Sequence, residues 1–394
     1  MQPSYMKRVL IIDANQRSAL AVTRSLGKQN VPLITADESQ SALAGSSRYS
    51  QQYFTYPSPQ VKPEQFSSAI AELCKNENIS IVIPMTELTT SLLLKHKASS
   101  PAITMPFPEI DTVNILANKC SLMRLAESIN IPVPNTWYAD NPLKLPIDLN
   151  ELSYPLILKP GKSWLEYNGK WHHTSVKIAD NPASAAEILK TDPSFNAHPF
   201  ILQEYIPGKG GGVFALYENG KPIAFFAHRR LREKPPRGGV SVLSESVALD
   251  STLRSYAHKL LDHVYWHGVA MVEFRITPNG EPYLMEVNTR FWGSLQLAVN
   301  AGVDFPWLLY QITSGSQVTP LIDYRTGIRL YWLLGNLDWL YLMLRDSGFS
   351  MKEKLMAVVY FLIPSPFKTK FEVVRLTDMR PFWFELKRYF KDLL

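Results

Sequence analysis

Residues 272–288 read Val-Glu-Phe-Arg-Ile-Thr-Pro-Asn-Gly-Glu-Pro-Tyr-Leu-Met-Glu-Val-Asn. An Asn-Gly pair between two apolar-rich runs is the strongest short-range signal for a β-hairpin. If Asn279 and Gly280 form a two-residue turn, residues whose numbers sum to 559 are paired. Glu273 then faces Glu286 directly across the two strands, and Asn288 lies two residues further along on the same face.

The two facing carboxylates favour a binding role. Like charges placed directly opposite each other destabilise a sheet, and carboxylate and amide oxygens are the hard ligands that suit Mg²⁺. Arg290 shares this face if the strand continues, and an arginine there could hold a phosphate by a bidentate fork. The alternative is a solvated polar face on an edge hairpin, with Glu286 paired to Arg275 or Arg290. The other face is predicted to pack in the core, and it carries Val272, Phe274, Ile276, Tyr283, Met285 and Val287.

The composition indicates an ordered globular protein of two or three domains. The chain has 394 residues, of which 46% are hydrophobic and 19% charged, and this is ample for a large core. The net charge of +6 and the isoelectric point of about 9.0 slightly favour acidic small molecules or an anionic surface as partners. No Lys/Arg-rich run of the nucleic-acid type occurs, so we expect no nucleic-acid partner.

Cysteine usage and the first residues favour a cytoplasmic location. Cys74 and Cys120 are the two cysteines, and they provide neither a disulfide framework nor zinc-ligand spacing. This usage is typical of a reducing compartment. Residues 1–8 lead directly into a strand-like run without the regions of a signal peptide, and no apolar stretch reaches the roughly 18 residues of a membrane-spanning helix.

The first third of the chain alternates predicted strands and helices. Alternation of this kind predicts a small open parallel sheet over residues 7 to about 110. The turn after the first strand lacks a G-x-G-x-x-G pattern, so a dinucleotide site there is poorly supported. The predicted strands cover residues 9–13, 32–35 and 79–84, and the predicted helices cover residues 18–29 and 66–76.

The middle of the chain predicts one helix and then mainly strands. The helix covers residues 111–130, because the Ile-Pro-Val-Pro sequence at 131–134 cannot continue it. A strand over 154–160 ends near Lys159, and residues 161–175 are predicted to form a loop. The remaining predicted elements are a strand over 200–206 and a hairpin about Asn219-Gly220, with arms at 213–217 and 222–227.

The tail from about residue 326 to residue 394 differs from the rest of the chain. It is rich in Trp, Tyr and Phe, and from Arg345 onward it carries ten Lys/Arg and six Asp/Glu, a balance of +4. Such a mixture is compatible with a membrane interface. The alternative, which aromatics at helical spacing favour, is a helical appendage packed on the main domains.

The order of these motifs resembles the ATP-grasp superfamily over roughly residues 7–315. Lys119, in an Asn-Lys pair within the predicted helix, looks like the first nucleotide-binding lysine of that family, and Lys159 looks like the second. Residues 203–208 read Gln-Glu-Tyr-Ile-Pro-Gly and resemble the hinge strand whose backbone reads adenine. Residues 284–293 read Leu-Met-Glu-Val-Asn-Thr-Arg-Phe-Trp-Gly and are close to the E-x-N-x-R signature. The implied nucleotide-binding residues are Lys119, Lys159, Glu204, Tyr205 and Ile206.

The resemblance implies an α/β fold with α+β character in the lid, ATP as cofactor, and a magnesium site. Glu273, Glu286 and Asn288 would hold Mg²⁺, as two ions with Mn²⁺ as an alternative, and Arg290 would contact the transferring phosphate. The implied organisation has three parts. They are a Rossmann-like domain that precedes the ATP-grasp domain (1–110), the ATP-grasp domain (111–325, with a lid at about 135–207 and a metal-carboxylate subdomain at about 208–325), and a helical, aromatic-rich C-terminal extension (326–394).

An arginine-rich stretch over residues 228–241 resembles the corresponding segment of poorly characterised ATP-grasp proteins similar to carbamoyl-phosphate synthase. Clustered arginines stabilise a phosphate or a substrate carboxylate, so we assign Arg230 and Arg232 to catalysis together with Arg290. The alternative is a solvated loop with ordinary surface cations. The segment after Lys159 departs from the family because it is glycine-poor, with only Gly161 and Gly169.

The implied activity is that of an ATP-dependent carboxylate–amine ligase working through an acyl phosphate. Other ATP-grasp chemistry, carboxylation or phosphoryl transfer, and a non-catalytic nucleotide-binding adaptor at a membrane surface are the alternatives. The expected partners are a small carboxylate and an amine. The sequence leaves open a homodimer and, through residues 330–394, a peripheral contact with the inner membrane face or with a lipid-linked acceptor.

Overall fold

The computed structural model describes residues 6–96, 103–142, 144–145, 147–236, 239–362 and 368–393. The N-terminal part forms a four-stranded parallel sheet in the order β3-β2-β1-β4, as the alternating pattern predicts. The short strand β3 carries no sequence signal of its own and pairs with β2. The elements are β1 (Val9–Ile11), α1 (Arg17–Lys28), β2 (Leu33–Asp37), β3 (Tyr53–Thr55), α2 (Pro63–Asn76), β4 (Ile81–Ile83) and α3 (Glu87–Lys95).

The single helix predicted over residues 111–130 is wrong, because two helices occupy this stretch. They are α4 (Ile110–Ala117) and α5 (Lys119–Ser128). Asn118 separates them with extended backbone angles, and its Oδ1 accepts hydrogen bonds from the N–H groups of Cys120 and Ser121. An asparagine cap of this kind begins a new helix, and it places Lys119 in the first turn of α5.

The lid is an antiparallel sheet in the order β5-β10-β6-β9 with a separate hairpin above it. Residues 161–175, predicted as a loop, contain that hairpin, whose strands pair around Asn168-Gly169. Both turn residues have positive φ, 52° and 71°, as a two-residue hairpin turn requires. The elements are β5 (Thr136–Ala139), β6 (Leu156–Pro160), β7 (Trp164–Tyr167), β8 (Lys170–His173), β9 (Lys177–Ala179), α6 (Pro182–Thr191), α7 (Pro193–Asn196) and β10 (Phe200–Glu204).

A seven-stranded sheet forms the centre of the molecule, in the order β15-β14-β11-β12-β13-β16-β17, where β16 (Arg329–Tyr331) and β17 (Thr369–Phe371) come from the C-terminal segment. Asn219 and Gly220 form the turn of the predicted hairpin between β11 and β12. Both strands of this hairpin are longer than predicted. Helices pack on the sheet through its buried apolar residues. The elements are β11 (Lys209–Glu218), β12 (Lys221–Lys234), β13 (Val240–Ser246), α8 (Ser251–His263), β14 (Gly268–Ile276), β15 (Pro282–Asn288), α9 (Leu295–Ala301) and α10 (Phe305–Thr313).

The β14–β15 hairpin pairs Glu273 with Glu286 as predicted, although its turn is longer than predicted. The Thr277 N–H donates to the Glu281 carbonyl (2.9 Å), so a three-residue loop ends at Gly280 (φ +89°). Near the turn the pairs are therefore shifted by one residue. A bulge beyond Phe274, which pairs with Leu284, skips Met285 and restores the predicted register.

Because of the bulge, the residues of β15 that are buried differ from the predicted ones. Leu284 is fully buried, whereas Tyr283 and Met285 are only partly buried. An extra residue in one strand reverses the direction of the side chains on one side of it. Val272, Phe274 and Val287 are buried as predicted.

The C-terminal segment is not wholly helical, which corrects the prediction for residues 326–394. Two of its strands extend the central sheet: β16 (Arg329–Tyr331) pairs with β13, and β17 (Thr369–Phe371) pairs with β16. Its helices are α11 (Leu333–Arg345), α12 (Met351–Leu362) and α13 (Arg380–Leu393). Among the described residues, every helix is too short or too polar to cross a membrane. The domain boundaries at 110 and 325 stay a prediction.

The same segment is attached to the N-terminal sheet by a buried ion pair. Arg24 of α1 donates from Nε to Asp378 Oδ2 (2.9 Å) and from its Nη atoms to the carbonyls of Glu372, Val373 and Asp378. Asp378 also accepts from the Ser47 hydroxyl (2.7 Å). Both charged side chains are almost completely buried, so the two ends of the chain are joined through a satisfied polar network.

Candidate functional site

The β14–β15 hairpin brings the predicted metal ligands together at its open end. The Asn288 Nδ2 lies 3.1 Å from Glu273 Oε1 and 3.4 Å from Glu286 Oε1. The Arg290 Nη2 donates to Asn288 Oδ1 at 3.3 Å. Glu286 forms its ion pair with Lys119 (4.0 Å) and not with Arg275 or Arg290, so the described contacts do not support the solvated-face alternative.

The donor set fits a divalent cation. Within the described residues, no group of three or more His, Cys, Asp or Glu side chains is arranged to hold a metal, so the amide of Asn288 has to supply the third protein ligand. Rotating this amide by half a turn would direct its oxygen toward the two carboxylates. The same rotation would end the bond from Arg290 Nη2 to Asn288 Oδ1. Two facing carboxylates and an amide oxygen form a hard-oxygen set of the kind that Mg²⁺ binds.

Electrostatics support the same assignment. Burial and, to a lesser extent, the nearby charge of Glu286 together raise the pKa of Glu273 to about 7, against the opposing effect of Arg230. The protein cations therefore do not fully compensate the paired carboxylates. A bound divalent cation would supply the missing positive charge and favour the ionised form of both.

Arg230, on the central sheet, contacts the carboxylate cluster formed by Glu273 and Glu286. It donates from Nη2 to Glu273 Oε2 (3.0 Å) and from Nη1 to Glu233 Oε1 (3.2 Å). The pKa of Arg230 is raised because the attraction of Glu273 and Glu233 outweighs burial, the largest single influence, which lowers it. Arg230 therefore stays a cation beside the carboxylates, as the proposed role requires.

Arg232 does not join the cluster, which corrects its assignment to the catalytic group. The pairing of β12 with β13 is irregular between Arg230 and Arg232, and one extra residue turns the next side chain to the other face. Arg232 donates to Asn336 Oδ1 (3.0 Å) and lies 4.5 Å from the ring centre of Trp339. It therefore packs against α11. The stretch is also mostly strand rather than a solvated loop, and residues 237–238 lie outside the described residues.

The two predicted nucleotide lysines approach the hairpin from different elements. Lys119 is positioned by the Asn118 cap and by a bond from its backbone N–H to the Gly161 carbonyl (2.7 Å). Lys159 extends from β6, and its Nζ lies 3.9 Å from Met285 Sδ. Burial lowers the pKa of Lys159 to about 8, with the charge of Lys119 acting in the same direction and that of Glu286 in the opposite one. An anionic phosphate beside Lys159 would favour its charged form.

A cavity of about 460 Å³ lies on one side of the hairpin end. It is bounded by the β4–α3 connection, the break between α4 and α5, the lid hairpin and the end of β15. Its size suits a nucleotide-sized ligand. The charged and polar side chains in its wall include Lys119, His173, Glu286, Asn288 and Arg290.

The lid hairpin closes over this cavity and touches the N-terminal sheet domain. The Trp171 N–H donates to the Gln60 carbonyl (2.9 Å), and Lys95 Nζ lies 5.1 Å from the Trp171 ring centre. Trp164 and His173 pack edge to face with ring centres 5.1 Å apart, and both line the cavity. His173 therefore has an exposed ring that also forms part of the cavity wall.

The predicted hinge residues do not line this cavity. Glu204 accepts from Asn135 Nδ2 (2.8 Å) on the exposed side of β10, Tyr205 is exposed and Ile206 is buried. Their contact with adenine stays a prediction. The neighbouring Gln203 has a buried Oε1 without a partner among the described residues, although its Nε2 donates to Thr136.

A second cavity, of about 270 Å³, lies on the other side of the hairpin end. Glu286, Asn288 and Arg290 line both cavities, so they form the wall between them. Four polar residues of the second cavity were not predicted as site residues: Arg17, His228, Ser241 and Ser294. His228 lies in the arginine-rich stretch, whereas Arg17 lies far away in sequence and carries no local signal.

His228 is a neutral member of this second cavity. Its Nδ1 lies 3.3 Å from the Ser294 hydroxyl, and its ring packs edge to face on Phe214 with centres 4.6 Å apart. Burial, together with the smaller effect of the charge of Arg230, lowers the pKa of His228 to about 3. An uncharged imidazole next to a hydroxyl can orient a substrate by hydrogen bonds without adding charge.

This fold is that of a known structural class. A parallel sheet domain, an antiparallel lid and a carboxylate-bearing central sheet are the parts of the ATP-grasp fold, which this chain shares with solved structures of a biotin carboxylase and an L-amino acid ligase. More narrowly, residues 196–335 match the family model described as ATP-grasp in the biosynthetic pathway with Ter operon.

Solved structures share the fold at low sequence identity. The biotin carboxylase–β,γ-ATP complex from Campylobacter jejuni is 16% identical, with a TM-score of 0.64 over 82% of this chain and 74% of that chain. The L-amino acid ligase from Bacillus licheniformis is 15% identical, with a TM-score of 0.62 over 82% and 78%. The N5-carboxyaminoimidazole ribonucleotide synthetase from Thermus thermophilus is 16% identical, with a TM-score of 0.61 over 82% and 81%. No curated protein matches the sequence.

Proposed function

We propose that the protein is an ATP-dependent ligase that activates a carboxylate as an acyl phosphate and condenses it with an amine. The carboxylate oxygen attacks the γ-phosphorus of ATP, the bond to the bridging oxygen breaks, and ADP leaves. The amine nitrogen then attacks the acyl carbon, phosphate leaves with the C–O bond electrons, and the nitrogen loses a proton. An amide, ADP and phosphate are the products.

The observation that carries this proposal is the shared wall between the two cavities. Glu286, Asn288 and Arg290 face the larger cavity, which suits ATP, and the smaller cavity, which suits a small acid. A phosphoryl group that passes between two ligands needs such a boundary, where positioning and charge neutralisation supply most of the catalysis.

Each group of residues in the site would have its own role in this reaction. Lys119 and Lys159 neutralise phosphate oxygens on the nucleotide side, while Arg290 and Arg230 hold the acid and the transferring phosphoryl group. The lid hairpin excludes water, which would otherwise hydrolyse the acyl phosphate. Glu273, Glu286 and Asn288 would hold Mg²⁺, proposed as two ions with Mn²⁺ as an alternative, and the metal would supply charge stabilisation at phosphate oxygens.

Trapping with hydroxylamine tests the chemistry directly. The protein is incubated with Mg-ATP, hydroxylamine and one acid at a time from a panel of carboxylic acids, and ADP and hydroxamate are measured. We expect equal amounts of ADP and hydroxamate with at least one acid, and neither product above background without an acid. A bicarbonate requirement would instead favour carboxylation, and a stable phosphorylated product without hydroxamate would favour a kinase.

A second proposal concerns the surface of α12, which we infer contacts an anionic membrane surface such as the inner face of the cytoplasmic membrane. Leu355 on α12 is 66% exposed, and Met351, Val359 and Leu362 are exposed beside it. Three of the six acidic side chains beyond residue 344, Glu372, Asp378 and Glu385, are engaged by Arg17, Arg24 and Trp332. The exposed charge of the segment is therefore mainly basic, which suits anionic lipid headgroups.

Vesicle sedimentation tests this contact. We expect binding to vesicles of phosphatidylcholine with phosphatidylglycerol. We expect roughly tenfold weaker binding for Leu355→Glu, because a leucine that would insert among the lipids is replaced by a charge that anionic lipids repel. Leu376→Glu is the matched control, since Leu376 is 94% exposed and lies outside α12. Equal binding of the two variants, or self-association of the protein without lipid binding, would contradict the proposal. A homodimer stays a prediction.

A further inference from the structure

Arg17 reaches the second cavity from the N-terminal domain and is held there by the C-terminal segment. It is the first residue of α1, and it lines the cavity together with Arg230 and Arg290. Its Nη1 donates to the carboxylate of Glu372, and its guanidinium lies 3.8 Å from the ring centre of Trp332. These two contacts fix the side chain, which is only 14% exposed.

The other edge of the Arg17 guanidinium remains available. Within the described residues Nη2 makes no hydrogen bond, and it lies 3.7 Å from where a Cβ on Gly293 would be. Gly293 also lines the cavity, so its missing side chain leaves room beside this nitrogen. A fixed guanidinium with a free edge in a small cavity is a typical receptor for a carboxylate.

The other two arginines of the cavity are already engaged at the reaction centre. Arg230 bonds to Glu273 and Glu233, and Arg290 bonds to Asn288 and to the Phe291 carbonyl. The His228–Ser294 pair is uncharged. Among the described arginines that line this cavity, Arg17 is therefore the one that makes no contact with the carboxylate cluster and whose Nη2 has no hydrogen-bond partner.

We propose that Arg17 binds a substrate carboxylate other than the one that is phosphorylated. This inference rests on the proposed function and names its substrate class, namely small molecules that carry a carboxylate at a distance from the reacting group. The cavity volume of about 270 Å³ lies just below the range of roughly 300–1,000 Å³ for ligand sites, so the cavity suits a small molecule. The carboxylate belongs either to a dicarboxylic acid that is activated or to an amino acid that serves as the amine.

Thermal unfolding in the presence of Mg-ADP tests the proposal without requiring turnover. One arm compares monocarboxylic acids with dicarboxylic acids of equal chain length, such as butyrate with succinate and valerate with glutarate. The other arm compares amino acids with the amines that lack the carboxylate, such as alanine with ethylamine. We expect at least one carboxylate-bearing member to raise the melting temperature more than its partner, and the arm in which this occurs identifies the source.

Variants of Arg17 decide whether the extra stabilisation depends on its guanidinium. We expect Arg17→Gln to weaken binding of that ligand roughly 10- to 100-fold, as for loss of a charge-assisted hydrogen bond, and Arg17→Lys to weaken it less. A lysine at position 17 can still pair with Glu372. A loss of ligand binding in Arg17→Lys would therefore not be explained by loss of the ion pair that helps to fold the protein. Lys28→Gln, at the far end of the same helix, is the matched control and should bind as the unchanged protein does.

The possible outcomes separate the two proposals. Carboxylate-dependent stabilisation that persists in both Arg17 variants, or none in either arm, would overturn the role of Arg17. Carboxylate-dependent stabilisation that is lost in Arg17→Gln, without hydroxamate formation in the trapping assay, would support Arg17 while contradicting the ligase chemistry.

Discussion

Glu286→Gln is expected to lower acid-dependent ADP formation by roughly 1000-fold or more, because it removes a charged oxygen from the wall between the two cavities. The variant keeps the size and most hydrogen bonds of the side chain, so the fold should be retained. Glu273 loses its facing charge, and its pKa, which Glu286 helps to raise, should fall. ADP release and hydroxamate formation, measured over a range of Mg²⁺ concentrations, give the result.

The matched control for this variant lies on the same hairpin. Glu281→Gln makes the same chemical change in the exposed turn, where the Glu281 backbone carbonyl, and not its side chain, closes the loop. We expect it to retain full activity. A Glu286→Gln variant as active as Glu281→Gln at equal Mg²⁺ would remove Glu286 from the site.

Arg24→Met is expected to destabilise the protein by about 3–5 kcal/mol, since it leaves a buried carboxylate without its ion-pair partner. Asp378 would keep only its bonds from Ser47 and from the Arg48 N–H, and three backbone carbonyls would lose their donor. The urea midpoint of unfolding and the rate at which protease releases the C-terminal segment measure the effect.

A second substitution separates the charge from the packing. In the double variant Arg24→Met/Asp378→Asn the buried charge is absent, and we expect part of the lost stability to return. Lys28→Met, on the same helix but in its exposed last turn, should change stability by less than about 0.5 kcal/mol. If Arg24→Met behaved like Lys28→Met, the ion pair would not anchor the C-terminal segment.

The β14–β15 hairpin shows which structural features the sequence periodicity predicts and which it does not. Facing of Glu273 and Glu286 is confirmed, yet the predicted turn was too short and the bulge at Met285 was not foreseen. The two errors compensate each other at the glutamates, whereas they do not at Tyr283 and Met285, which were wrongly placed in the core. Bulges have weak local sequence signals because they serve the curvature of a whole sheet.

At the N-terminus the alternation of strands and helices was also predicted correctly. There the buried apolar runs predict the positions of β1, β2 and β4 closely. The strands β16 and β17 were missed, because each has three residues and takes its stability from the edge of the sheet that receives it. Short strands follow tertiary context more than propensity.

The candidate site was proposed from local motifs. The residues of the hairpin were named from their sequence neighbours, and Lys119 and Lys159 were named from the family resemblance; their roles stay predictions. The separation of Arg230 from Arg232 depends on an irregular register, and the arrival of Arg17 at the second cavity depends on how the N-terminal domain packs. Contacts between residues remote in sequence leave no periodic signal, so such assignments require the three-dimensional structure.

The lid hairpin has a consequence for the timing of the reaction cycle. It meets the N-terminal domain through few polar contacts, chiefly the Trp171–Gln60 hydrogen bond and the Lys95–Trp171 cation–π pair. Each contributes about 1 kcal/mol, so separating them requires only a small free energy. Because Trp164 and His173 of this hairpin line the cavity proposed for ATP, we expect the hairpin to open during nucleotide exchange. ADP departure would then set the turnover rate whenever the chemical steps are faster than this opening.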